Sequence, residues 1–305
     1  MDSLERKAER EVGSYEKISP TAWGVAYRRT LSDIPFSLEI FDELQKIVQQ
    51  TRSAAELRDL EQSNYPEITP VFEARFKLVN RLLKKNNAQQ ILEIAAGFSP
   101  RSIEIAKDPT VEYVEVDLPG VMNEKRSIIE KLAKQSKIPR ASNLHLTVGN
   151  ALDMQDLLTA TKPFRKEPIA VVNEGFLRYL NVEERTAVAK NVYQLLERFG
   201  GVWITPDLCI PTGGVLLQSD EKMKEHNARI ERMTGIDIAK NRFENEQAAR
   251  GFFENLGFEI ERHSFMEVSD ELVSPQKLNL SKEQVEKIIR RHVVFVMRLE
   301  KVALD

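Results

Sequence analysis

Apolar residues recur at helical spacing through the first ninety positions, then gather into short runs separated by helical stretches. Positions 22–31 and 36–50 carry helical stripes, the second through Phe36, Ile40, Leu44, Ile47 and Val48. Tyr65-Pro66 and Thr69-Pro70 interrupt the pattern, and a helix is predicted over 71–85 with Phe72, Phe76, Val79, Leu82 and Leu83 on one side. Strands are predicted at 90–95, 111–116, 143–148, 168–173, 202–205, 258–265 and 292–300. Helices fall between them, at 100–107, 120–137, 182–198, 216–233 and 245–255. Ser99-Pro100 reads as an N-cap followed by proline at the first helical position. Asn181 to Glu184 and Ser281 to Gln284 read as capping boxes. Five strand–helix units and a closing pair of strands predict an α/β fold: a mostly parallel sheet with helices on both faces. The organisation follows: a helical extension at 1–88, then a sheet domain at 89–305 with a helical insertion at about 212–250 before strand six.

A parallel sheet binds ligands at the carboxyl ends of its strands. After the first strand, Glu93-Ile94-Ala95-Ala96-Gly97-Phe98-Ser99 makes a tight turn of small residues that lets a ligand lie against backbone. The G-x-G-x-x-G spacing of a dinucleotide site is absent. Asp117, twenty residues past the loop, is placed to accept both hydroxyls of a ribose; the alternative is an ordinary acid at a helix start. Gly149-Asn150-Ala151-Leu152-Asp153 offers an amide and backbone groups to an adenine edge, or is simply a turn. Glu174 ends an apolar strand, where a carboxylate needs a cation: a ligand ammonium or a structural arginine. Arg75, between Phe72 and Phe76, either clamps a carboxylate or is a solvated surface arginine. Ribose diol, adenine, amino group and carboxylate are together the handles of S-adenosylmethionine, which carries no phosphate.

Composition narrows the partners. Forty-four Lys+Arg against 47 Asp+Glu give a net charge of -3, with no basic surplus for nucleic acid. The charged N-terminus lacks a signal-peptide core, and no apolar run approaches the ~20 residues of a spanning helix. Cys209 is the one cysteine, so an intrachain disulfide and a cysteine zinc site are excluded. The expectation is a cytoplasmic protein that binds neither nucleic acid nor membrane and holds no metal.

The segments Pro66-Glu67-Ile68 with Ala74-Arg75, ILEIAAGFS (91–99), VEYVEVDLP (111–119) and NEGFLRYLNVEE (173–184) resemble the leucine carboxyl methyltransferase family, which includes polyketide-type bacterial O-methyltransferases. TAWGVAYRRT (21–30) and RHVVFVMRLE (291–300) extend the likeness. The resemblance implies a class I methyltransferase fold, Rossmann-like and seven-stranded, and transfer of a methyl group from S-adenosylmethionine to oxygen. It also implies roles. Arg75 would hold the cofactor carboxylate, with Gly97 beneath it; Asp117 would bind the ribose and Glu174 the amino group. Asn150 and Ala151 would meet the adenine. Glu93, Ala95, Leu118 and Leu152 join the same cofactor set. Arg28 matches a family lysine, with Arg29 as the neighbouring alternative, and Tyr179 matches a tyrosine near the acceptor; Arg28 and Tyr179 are the catalytic candidates. The chain departs from the family where Ala95 replaces a glycine and Asn150 an acid.

The acceptor is expected to be a small molecule, or a protein C-terminal carboxylate. Catalysis is expected to be positional, with no named base, and His145 and His292 to be packed neutral histidines in strands. The 212–250 insertion is expected to cover the acceptor. The rival readings are a non-catalytic regulator that binds the same cofactor, an N-methyltransferase and a nicotinamide oxidoreductase.

Overall fold

The computed structural model describes residues 19–51, 66–208, 228, 231–232 and 235–300. Seven strands form one sheet: β1 (Gln90–Ile94), β2 (Glu112–Asp117), β3 (Leu144–Val148), β4 (Ile169–Val172), β5 (Gly201–Thr205), β6 (Phe258–Ser264) and β7 (Val293–Leu299), in the order β3-β2-β1-β4-β5-β7-β6. The first five are parallel; β7 runs antiparallel to both β5 and β6. Order reverses between β1 and β4, so the chain leaves the two strands in opposite directions and opens a crevice at their carboxyl ends.

Ten helices carry the flanks of the described chain: α1 (Ser19–Thr30), α2 (Ser37–Thr51), α3 (Thr69–Lys85), α4 (Arg101–Ile105), α5 (Pro119–Lys134), α6 (Met154–Ala160), α7 (Val182–Phe199), α8 (Glu246–Glu254), α9 (Ser274–Lys277) and α10 (Lys282–Ile289). Because side chains alternate along a strand, β1 and β2 serve two layers. Leu92, Ile94, Val114 and Val116 face α6, α7 and α8. Ile91 and Tyr113 face α3 and α10. A third cluster seats α1 and α2 on α5, with Trp23 and Tyr27 stacked at 6.0 Å and both rings against Phe41. No described helix is long and apolar enough to cross a membrane.

The expected strands and their order of appearance are present. Helix ends differ for local reasons. α4 stops at Ile105 rather than 107, where Asp108 Oδ1 accepts from the backbone N–H and hydroxyl of Thr110 in a turn. Pro100 takes the N-cap position itself, and Ser99 lies outside the helix. α5 ends at Lys134 because Ser136 turns to φ +57°. His292 precedes β7 rather than lying in it. Both capping boxes form. α6 was not anticipated: Asp153, read as part of a turn, is its N-cap and accepts from Gln155 N–H. Most of the 216–233 helix and Cys209 lie outside the described residues, as does much of the 1–88 extension.

Candidate active site

The strand ends build one wall of a cleft. Ala95 and Gly97 both adopt left-handed backbone, φ +50° and +52°. For alanine that conformation costs about 1–2 kcal/mol, a strain glycine would not carry. The turn bends so that Gly97 N–H donates to Asp117 Oδ2 at 2.7 Å, while Leu118 N–H donates to Oδ1 at 2.8 Å. Burial pushes the Asp117 carboxyl up from its ordinary value, against the pull of these two amides. Asn150 folds on its own turn: its Oδ1 accepts Leu152 N–H at 3.0 Å and its N–H donates to Asp156. The Ala151 carbonyl accepts from Asn191 Nδ2.

The segment after β4 is tied to the end of β5. Asp207 accepts Gly175 N–H at 2.7 Å, Phe176 N–H at 2.6 Å and Asn173 Nδ2 at 2.8 Å. This presents Glu174 to the cleft, where three guanidiniums converge. Arg29 and Arg75 donate to Glu174 Oε2 at 3.0 and 3.1 Å, and Arg101 donates to Oε1. Burial alone would raise the Glu174 carboxyl; the charges of Arg101, Arg75 and Arg29 outweigh it and hold it at about 2.

The other wall is α1 with α3. Arg28 lies over Phe72 and donates to the Gly24 carbonyl; Arg75 covers the same ring. Arg29 and Arg101 both lie over Phe76. Burial pulls Arg28 and Arg29 down to about 10, which leaves both cationic at neutral pH. Tyr179 Oη meets Thr21 Oγ1 at 3.0 Å and joins α1 to the β4 segment. Ile238 packs on Tyr179, so the described end of the 212–250 insertion reaches this wall.

Arg28, Arg75, Ala95, Gly97, Asp117, Leu118, Asn150, Ala151, Leu152, Glu174 and Tyr179 line this one cleft, which spans about 1410 Å³ with its open solvent. Glu93 does not line it. It sits one layer beneath, accepting from Arg101 and, at 2.6 Å, from Tyr113 Oη. Arg75 is no solvated surface residue; it is bound to Glu174.

Two residues escaped the sequence reading. Arg101 left a signal: a cation in a helix's first turn opposes the helix dipole and needs acids nearby. Asp207 left another, since it too follows a strand end. Among the described residues, no histidine lines the cleft. His292 stacks on Phe265, and burial, aided by the charges of Arg75 and Arg178, pulls its pKa down to about 4. His145 lies against Glu112 on β2. Among the described residues, no group of three or more His, Cys, Asp or Glu could hold a metal ion.

A sequence model described as leucine carboxyl methyltransferase matches residues 32–193, just over half of the chain. No curated protein matches the sequence. Among solved structures, a DUF574 family protein from Streptomyces avermitilis is similar at TM-score 0.54 and 17% identity, over 82% of this chain and 92% of that one. A protein described as a methyltransferase from Thermobifida fusca is similar at 0.53 and 14%, over 82% and 90%. At these identities the likeness is one of fold.

Proposed function

The chain belongs to the leucine carboxyl methyltransferase family of S-adenosylmethionine-dependent methyltransferases, and on that premise we propose that it methylates an oxygen, best a carboxylate, of a small-molecule or protein C-terminal acceptor. The observation that carries this reading is that Asp117 and Glu174, 57 positions apart in sequence, line the same cleft. S-adenosylmethionine, when bound, supplies a methyl carbon on a sulfonium, already activated for displacement.

The donor set fits that molecule. Each Asp117 oxygen spends one lone pair on an amide and keeps another for a ribose hydroxyl. Glu174 has about four acceptor positions and uses three on arginines, which leaves one for an ammonium group. Arg75 binds Glu174 through Nε, and its two Nη groups stay available for a carboxylate. Gly175 beside it adopts φ +71°, left-handed backbone that favours glycine. Leu118, Asn150, Ala151 and Leu152 would form the adenine face.

A carboxylate acceptor fits the remaining surface. It is ionised at neutral pH and needs no base, in keeping with a cleft wall whose described residues include Arg28, Arg178 and Tyr179. Catalysis then rests on alignment, which contributes about 7–11 kcal/mol in favourable cases. The test is a screen of carboxylic acids and alcohols with methyl-labelled cofactor. Carboxyl methyl esters release labelled methanol on mild alkali; methyl ethers and N-methyl products do not. Alkali-stable product alone would refute the carboxylate assignment.

A further inference from the structure

Arg101 is entirely buried and is not part of the cleft wall, yet each arm of its guanidinium is engaged. Nε donates to Asn80 Oδ1 at 2.7 Å, one Nη to Glu93 and the other to Glu174. The flat face lies 4.6 Å from the Phe76 centroid. Behind it, Glu93 on β1 is also held by Tyr113 Oη on β2. The sheet is thereby connected to the cleft through one continuous chain: Tyr113, Glu93, Arg101, Glu174.

We propose that Arg101 is a positioning residue for cofactor binding, fixing the Glu174 carboxylate from beneath at the angle at which it receives the cofactor's amino group. This rests on the assignment of that amino group to Glu174. The three arginines on Glu174 are not equivalent. Arg29 and Arg75 approach Oε2 and line the cleft, where a ligand's own carboxylate competes for them. Arg101 approaches Oε1 from the protein side and is out of a ligand's reach. It alone holds Glu174 in the same way before and after a ligand arrives. The planar fork matters, because a lysine could engage only part of the set Asn80, Glu93 and Glu174 at once. The low pKa of Glu174, whose largest charge contribution is Arg101, agrees with this placement.

The experiment is calorimetric titration of the full chain with S-adenosylhomocysteine, comparing wild type, Glu174→Gln, Arg101→Gln and the double variant, each with a melting curve. Expected are losses of about tenfold or more for each single variant, and a double variant within about twofold of Glu174→Gln alone, since residues acting through one another do not add. General loosening of the fold would instead multiply the losses. Multiplied losses, or wild-type affinity in Arg101→Gln, overturn the proposal. If Arg101→Gln does not fold, Arg101→Lys and Glu93→Gln replace it in the same cycle, with smaller losses of about threefold and the same non-additivity. Failure of the underlying reading looks different: wild type without affinity removes the cofactor assignment, and an unaffected Glu174→Gln removes the amino-group assignment.

Discussion

The two faces of β1 and β2 differ in whether they bury charge. One face presents Leu92, Ile94, Val114 and Val116, all buried, to an apolar layer of α6, α7 and α8. The other presents Glu93 and Glu115, which are register partners on adjacent strands and equally buried. Each carboxylate has its own buried cation: Arg101 for Glu93, and Lys125, at 2.6 Å, for Glu115. Burial raises the Glu115 carboxyl above its ordinary value, against the pull of Lys125. Apolar burial stabilises by about 25 cal/mol per Å², whereas a buried charge costs several kcal/mol unless it is matched. Apolar burial, which on the second face continues through Ile91 and Tyr113, therefore holds the fold together. The charged face, at a cost in stability, carries a connection into the cleft.

The largest expected effect tests the charged face. Lys125→Met leaves Glu115 buried and alone, and should lower unfolding free energy by about 3–5 kcal/mol in chemical denaturation. Replacing both, with Glu115→Leu added, should restore wild-type stability or exceed it. If the double variant is as weak as the single one, the pair contributes net stability and the contrast between the faces fails.

On the apolar face, Leu92→Ala should cost about 2–5 kcal/mol of stability yet leave affinity for S-adenosylhomocysteine, measured by calorimetry below the melting range, unchanged. Asp117→Ala should do the reverse, weakening binding by about 1.5–3 kcal/mol for each charged hydrogen bond lost. A cofactor affinity that ignores Asp117 would remove it from the site.

Acid separates the two sources of charge further. His292 is held near 4, below the ordinary 6.5, so the unfolded chain binds the proton first. Its contribution is complete above pH 6.5 and is lost as pH falls toward 4, on the order of 2 kcal/mol by pH 5. Melting curves at pH 7 and 5 should show this loss in wild type and a smaller one in His292→Phe. Glu174 acts lower: its folded value of about 2 lies below the ordinary 4.5, so its contribution persists until pH falls through that interval.

The smallest effect concerns the turn. Ala95→Gly should relieve left-handed strain and stabilise the chain by about 1 kcal/mol in denaturation.

Ala95 also shows what could be read in advance. The alternation of apolar runs and helical stretches reports backbone periodicity directly, so the strands and most helices were legible. The strand-end rule likewise places Asp117 and Glu174 at the cleft, because topology fixes where those positions point. It could not report partners. Glu93 lies in the same loop signature as Ala95 and Gly97, yet strand alternation turns it beneath the cleft toward Arg101. The sequence offers Glu174 a ligand ammonium or some structural arginine, and Arg75 a ligand carboxylate or solvent; that the two pair with each other, 99 residues apart, depends on a contact that no local pattern encodes. Asp207 was passed over since its work is to accept backbone amides of another segment.

β7 is the last of the described strands but lies inside the sheet, between β5 and β6. During synthesis, six strands leave the ribosome before the one that joins β6 to the rest. Until residues 293–299 emerge, β5 presents an open, apolar edge and β6 has no strand to pair with, the condition in which nascent chains recruit chaperones or associate with one another. Translation that halts short of this segment would thus yield an aggregation-prone fragment rather than a trimmed enzyme.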